Sequence, residues 1–381
     1  MPTPERPTPE RPTPDRPKAE REGPVDAKGL HYPFDGVPEE GAVRQVAEGV
    51  HWVRMPLPMT LNHINLWLLE DHDGWTVVDT GLNYSRVTAA WEKIFVDFLA
   101  GRPVKRVIVT HLHPDHVGLA GWFTRRFGVH LWMSRTDYLM CRNLTLDTGR
   151  EAPPEALSFY RAAGFTEEAL AAYRERFGYF GRGIFEMPDS FRRIVDGEIL
   201  DIGGRYWQVV MGSGHAPEHA CLYCPGLKLL ISGDQVLPRI TSNVSVFPTE
   251  PFGDPLKDWI ASCGRLREIL PGDLLVLPAH NEPFFGLHQR LTALIDNHEQ
   301  ALTRLLDILD TPKRAIDCFS PLFKRTIGPE VFSMATGEAL AHLNCLIGRR
   351  LVARLRDEHG VDWYRRIAPE AKAAPLSVGI A

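Results

Sequence analysis

No stretch of about 18 uncharged apolar residues, the length needed to cross a bilayer, occurs in the 381-residue chain. Nor does an apolar segment follow a basic stretch near its start, so neither a membrane span nor a secretory leader is expected. Basic residues are not in surplus: 43 Lys and Arg stand against 48 Asp and Glu, a formal net charge of −5. A protein that neutralises many phosphates needs the opposite balance, so nucleic acid is not an expected partner. The six cysteines, at positions 141, 221, 224, 263, 318 and 345, follow no regular spacing. They imply no disulfide framework, and a reducing, cytoplasmic setting fits them. Cys221-Leu222-Tyr223-Cys224 has redox or zinc-like spacing, yet it lies in an expected strand, where residues three apart face opposite sides. That pair is read as structural.

Proline, by contrast, is concentrated at the start, where Pro2-Thr3-Pro4-Glu5-Arg6 is repeated with one Asp for Glu through Arg16. Proline removes amide donors and the repeat offers nothing apolar to bury, so residues 1–28 are expected to be an extended, disordered tail. From about Val43, short apolar and β-branched runs separated by Asp-Gly and Pro predict a meander of strands, notably around 50–53, 64–69 and 75–78. Strands then alternate with helices: a helix over 87–99, a strand over 104–110 and a helix over 119–127. Residues 135–193, rich in Ala, Glu, Arg and aromatics at helical spacing, predict a helical insertion, here read as one wall of a substrate pocket. Strands resume at 206–210, 220–223, 227–231 and 274–277. Beyond His288 the pattern predicts an almost wholly helical C-terminal subdomain over 288–381, docked on a main domain of residues 29–287.

The densest chemistry lies in Val107-Ile108-Val109-Thr110-His111-Leu112-His113-Pro114-Asp115-His116. An apolar strand empties there into one tight turn holding three imidazoles and a carboxylate. That ligand set suits zinc, and also iron or manganese. Three more candidates share the context of a short apolar strand ending in a polar residue: His215 after Gly212-Ser213-Gly214, Asp234 after Ser232-Gly233, and His280 after Pro278-Ala279. Strand exits are where open α/β sheets collect their sites.

The ordered pattern His-x-His-x-Asp-His, His, Gly-Asp, His, together with Val78-Asp79-Thr80-Gly81, resembles the metallo-β-lactamase superfamily over roughly residues 43–285. Within it, the full seven-ligand set looks most like glyoxalase II (hydroxyacylglutathione hydrolase) and its relatives. The resemblance implies an α/β fold, an αββα sandwich with the helical insertion and a C-terminal part similar to a winged helix. It implies two divalent metal ions: His111, His113 and His215 on one, Asp115, His116 and His280 on the other, with Asp234 bridging and Asp79 bracing the metal loop. A metal-bridging hydroxide would then attack a carbonyl carbon while a metal polarises its oxygen. Asp115 and Asp234 thus count as both ligands and catalytic groups.

The complete ligand set and the two helical additions favour a thioester substrate of acyl-CoA or glutathione type. Lactone or other carboxylic ester hydrolysis is the alternative, and a mononuclear-iron persulfide dioxygenase or a non-catalytic metal-binding module uses the same residues differently. His63, in Asn62-His63-Ile64-Asn65, and Arg239 and Asn243, downstream of Asp234, are candidate substrate contacts. His219 is another; its other readings are a group that orients a ligand imidazole and a satisfied histidine at a strand's start.

Overall fold

The computed structural model describes residues 25–27 and 29–368. Most of the proline-rich tail, residues 1–24 and 28, lies outside the described residues. Residues 25–27 do not continue an extended tail: Val25 bridges His31, and Asp26 accepts from the Leu30 amide at 3.0 Å and the Tyr32 hydroxyl at 3.1 Å.

Seven strands form the first sheet in chain order: β1 (Val43–Ala47), β2 (Val50–Pro56), β3 (His63–Asp71), β4 (Gly74–Val78), β5 (Val104–Ile108), β6 (Leu131–Met133) and β7 (Phe191–Arg193). The first four pair antiparallel and the rest add in parallel. The second sheet runs in reverse order, β12 (Leu275–Pro278), β11 (Leu229–Gly233), β10 (His219–Cys224), β9 (Arg205–Gly212) and β8 (Ile199–Ile202), with only β11 and β12 parallel.

Period-two alternation explains why the two sheets face each other between helices. Along β3, Leu66 and Leu68 point outward to α1 (Ser85–Ile94), where Val87, Trp91 and Ile94 are buried, and to the helix Ala120–Phe127. Trp67 and Leu69 point inward, joining Trp52 and Ile108 to Trp207, Val209, Leu222 and Ile231 of the second sheet. The far face of that sheet, with Val210, Cys221, Leu230 and Val276, is covered by three helices, Pro255–Ile269, Leu287–Ile308 and Phe332–Gly348. Layers therefore run helix, sheet, sheet, helix, as the resemblance implies. Cys221 and Cys224 fall on opposite faces of β10, both buried, and burial raises both thiols.

Two parts depart from expectation. The segment 135–193 is helical, with α2 (Arg135–Thr145), α3 (Pro154–Ala162), α4 (Glu167–Arg176) and α5 (Tyr179–Arg182), but its end returns to the first sheet as edge strand β7. Beyond 288 the chain is not almost wholly helical: β13 (Val352–Arg356) and β14 (Asp362–Arg366) form a hairpin. Its turn is tied by Asp357, which accepts from the His359 and Val361 amides at 2.9 Å each and from Trp363 Nε1 at 2.8 Å. Charged residues crowd these strands, so no apolar alternation marks them in the sequence. The helix Leu287–Ile308 is also no separate unit, since Leu287, Leu291 and Leu294 sit in the same core cluster as the second sheet.

Candidate metal centre

Five strand exits gather at one end of the sandwich: β4 leads to Asp79, β5 to His111, β9 to His215, β11 to Asp234 and β12 to His280. Backbone hydrogen bonds sew the two sheets together at this end. Asn65 N donates to Ala279 O (2.6 Å) and Ala220 N to Thr110 O (2.8 Å), while Ala279 N to Gly233 O (3.0 Å) ties the ends of β12 and β11 within the second sheet. Residues far apart in the chain are thereby held at fixed separations.

All seven predicted ligands come together here. His111 Nε2, His113 Nδ1 and His215 Nε2 lie 2.8, 3.0 and 3.2 Å from one another. On the other side, His280 Nε2 is 3.4 Å from both Asp115 Oδ2 and Asp234 Oδ1, and His116 Nε2 is 3.6 Å from Asp234 Oδ1. Asp234 stands between the groups, its Oδ2 3.3 Å from His215 Nε2 and its Oδ1 facing His116 and His280.

This arrangement fits a pair of cations. Burial, reinforced by neighbouring imidazoles, pushes His111 well below the ordinary histidine range and His113 down to about 3. Both rings are thus neutral and offer lone pairs, and three lone pairs converging within hydrogen-bond distance call for a shared positive centre. At the second group, His116 Nε2 and Asp234 Oδ1 are buried with no hydrogen-bond partner. Burial opposes charge on His116 and His280, yet the surrounding carboxylates outweigh it, holding His280 at about 10 and His116 well above its usual value. Burial likewise works against ionised Asp115, but His116 and His280 hold it at about 2. The field that retains these protons is one that attracts a divalent cation.

The imidazoles are oriented by groups behind them. Asp79, in the left-handed region at φ 60°, accepts from Thr110 N (2.7 Å) and Thr110 Oγ1 (2.8 Å) and lies 2.7 Å from His116 Nδ1. Main-chain carbonyls do the same for two other predicted ligands: His215 Nδ1 donates to Asn243 O (2.7 Å) and His280 Nδ1 to His63 O (2.8 Å). Each carbonyl fixes a proton on its ring's Nδ1, so Nε2 is the nitrogen turned toward the centre.

The four candidate substrate residues take other places. His63 accepts from the Asn281 amide at 2.9 Å and, buried near Arg54, is pushed down to about 3. Asn243 uses its side chain to donate to Glu338 (3.1 Å) and accept from Ser245 (2.6 Å). Arg239 donates to Glu282 (2.9 Å) and covers the Tyr32 ring. His219 is fully buried, stacks on His111 with ring centroids 4.7 Å apart, and accepts from the Asp234 amide at 3.0 Å. Buried as the first residue of β10, it fits an orienting role and a satisfied histidine at a strand's start alike. Gly233 makes this stacking possible: its φ is 50°, and a Cβ there would stand 2.6 Å from the His219 ring.

Asp137 is a residue the sequence does not single out. Standing in the first turn of α2, where an acidic residue is ordinary, it is fully buried and accepts from Leu112 N (2.9 Å) and Glu218 N (2.8 Å). It therefore ties the loop of His111 and His113 to the loop after His215. Burial raises its carboxyl to about 6. Asp137→Asn turns one acceptor into a donor facing a backbone amide. Chemical denaturation is expected to show a loss of about 1–3 kcal/mol, the cost of one buried unsatisfied group; an unchanged midpoint counts against this role.

Comparison with known proteins agrees with the geometry. A beta-lactamase domain protein from Burkholderia ambifaria, known from its crystal structure, is 39% identical with a TM-score of 0.82, over 89% of this chain and 98% of that one. A probable metallo-hydrolase, YqjP, from Bacillus subtilis is 24% identical over 78% of this chain and 92% of its own length. The acyl-coenzyme A thioesterase MBLAC2 of Bos taurus is 25% identical over 68% of this chain and 86% of its own. Residues 302–367 match the metallo-beta-lactamase-like C-terminal domain, a region that includes the hairpin. Residues 59–280, more than half of the chain, match the metallo-beta-lactamase superfamily, and the chain belongs to that family.

Proposed function

We propose that this protein is a two-metal hydrolase that cleaves acyl thioesters. The observation that carries the reading is Asp234, with one oxygen directed at His215 and the other at His116 and His280. His111, His113 and His215 would hold one cation; Asp115, His116 and His280 would hold the second, with Asp234 shared. Zinc suits this mixture of imidazole and carboxylate, as do iron and manganese. When bound, such a pair lowers the pKa of water and polarises a substrate carbonyl.

The protein's own groups prepare that chemistry. His111 and His113 are kept neutral, and Asp79, Asn243 O and His63 O direct the Nε2 atoms of His116, His215 and His280 inward. Asp115 Oδ2, held ionised, would accept a hydrogen bond from the attacking water, while both oxygens of Asp234 are committed to the cations. The thioester assignment draws support from the similarity to the MBLAC2 thioesterase. The insertion and the C-terminal part pack on each other through Tyr160, Phe165 and Phe332.

The test is turnover of a panel of acyl-CoA thioesters, glutathione thioesters, lactones and nitrocefin by metal-replete protein, with and without a chelator. The expected result is hydrolysis of an acyl thioester at least about tenfold above the lactones, lost on chelation and restored by added metal. Turnover insensitive to chelation defeats the mechanism, and turnover of lactones alone defeats the thioester assignment.

A further inference from the structure

Between Asp234 and Val246 the chain has no helix or strand, yet it carries Asp234 at one end and, at Asn243, the carbonyl that orients His215. Besides bonds from Ser232 and Ser242, much of what keeps so irregular a segment in place comes from beyond it in the chain. From the helix Leu287–Ile308, Arg290, only 4% exposed, donates Nε to Leu237 O and Nη2 to Ile240 O, the latter at 2.7 Å. From the helix Phe332–Gly348, Glu338 accepts from Asn243 Nδ2 at 3.1 Å, Gly337 O accepts from Val246 N at 3.0 Å and Met334 O from Ser245 Oγ at 3.4 Å. The approach is close: a Cβ on Gly337 would lie 2.9 Å from Val246 O and 3.0 Å from Ser245 Cβ.

We propose that Arg290 and Glu338 are positioning residues of the metal centre, acting on the His215 imidazole through the main chain of residues 237–246. The inference rests on His215 being a ligand. Neither residue is among the groups that face the metals. Each is a side chain of a C-terminal helix bonded to the segment that holds the ligand, and a planar guanidinium reaching two carbonyls three residues apart fixes its shape as well as its place. Asn243 couples the two levels: its side chain is held by Glu338 while its carbonyl accepts the hydrogen bond from His215 Nδ1. Groups that orient a ligand imidazole in this way are typically worth about 10–100-fold in metal affinity.

The experiment is a cobalt(II) titration of the metal-depleted full chain, followed by the visible ligand-field bands, for wild type, Glu338→Ala, Glu338→Gln, Asn243→Ala and the Glu338→Ala/Asn243→Ala double variant. Glu338→Ala is expected to weaken one cobalt equivalent by about 10–100-fold and alter its band, leaving the other near wild type. Glu338→Gln retains an oxygen for Asn243 Nδ2 and should restore affinity to within about threefold of wild type. The double variant should be no weaker than Asn243→Ala alone, which already removes the bond to Glu338 along with that from Ser245 Oγ. Arg290→Met is expected to act in the same direction. Wild-type affinity and spectrum in Glu338→Ala overturn the proposal. So does equal weakening in Glu338→Ala and Glu338→Gln accompanied by lower melting temperatures of the metal-free proteins, which marks a folding defect. A wild type that binds two cobalt ions without cleaving thioesters refutes the proposed substrate and leaves this inference standing, whereas a wild type that binds none removes the basis of both.

Discussion

Asp234→Asn is expected to lower thioester turnover about a thousandfold while leaving the fold in place. The carboxylate offers Oδ2 to the His215 side, at 3.3 Å, and Oδ1 to the His280 side, at 3.4 Å. An amide can supply only one of these oxygens and turns a donor NH2 toward the other position, where a cation would be repelled. Loss of Lewis-acid stabilisation worth about 4 kcal/mol corresponds to about three powers of ten in rate. The backbone has no reason to move: the residue's amide still donates to His219, and its carbonyl still accepts from Ser242 Oγ. Steady-state kinetics, metal content and a thermal melt on one preparation check the result. Near wild-type turnover with a single metal per chain would show that bridging is not required.

Asp79→Ala should be the most costly change that replaces no predicted ligand. It strands the Thr110 amide, the Thr110 hydroxyl and the His116 Nδ1 proton in a fully buried setting. One buried unsatisfied group costs about 1–3 kcal/mol, and alanine at a left-handed φ of 60° adds about 1 kcal/mol or more. A loss of about 3 kcal/mol in unfolding free energy is expected, with metal affinity reduced about 10–100-fold. Asp79→Asn separates the two effects. Asparagine tolerates the left-handed backbone and still accepts from Thr110 N, so most of the stability should return. Its NH2 would face His116 Nδ1, favouring the tautomer with the proton on Nε2 and so covering the lone pair aimed at the centre. Affinity should therefore stay low in the asparagine variant, as equilibrium dialysis against buffered zinc would show. Recovery of both properties would mean that the carboxylate charge is not what positions His116.

The elements most legible in the sequence are those whose information is local. The strand-to-turn run from Val107 to His116 carries four ligand candidates within six residues, and the alternation of β3 or the apolar face of α1 can be read from a short window. His215, Asp234 and His280 become readable only as an ordered series, since each alone resembles an ordinary loop residue. The hairpin of β13 and β14 is hidden because its strands are rich in arginine and are defined by the Asp357 turn instead of by apolar periodicity. Asp137 is hidden because an acidic residue early in a helix is usually solvated, and nothing local says that this one faces two buried amides.

By itself, the sequence determined which atoms are available to bind metal, because imidazole and carboxylate chemistry belongs to each residue wherever it lies. It determined the faces of strands and helices as well, because period-two and helical alternation assign them before any contact forms, whereas the sandwich was implied by the resemblance to the metallo-β-lactamase superfamily. Only the tertiary structure decided which nitrogen of each ring faces the centre. The carbonyls that accept the Nδ1 protons of His215 and His280 belong to residues 28 and 217 positions away, and a carbonyl oxygen is present on every residue. A group common to all residues leaves no mark in the sequence, so its role appears only once folding has chosen its neighbour.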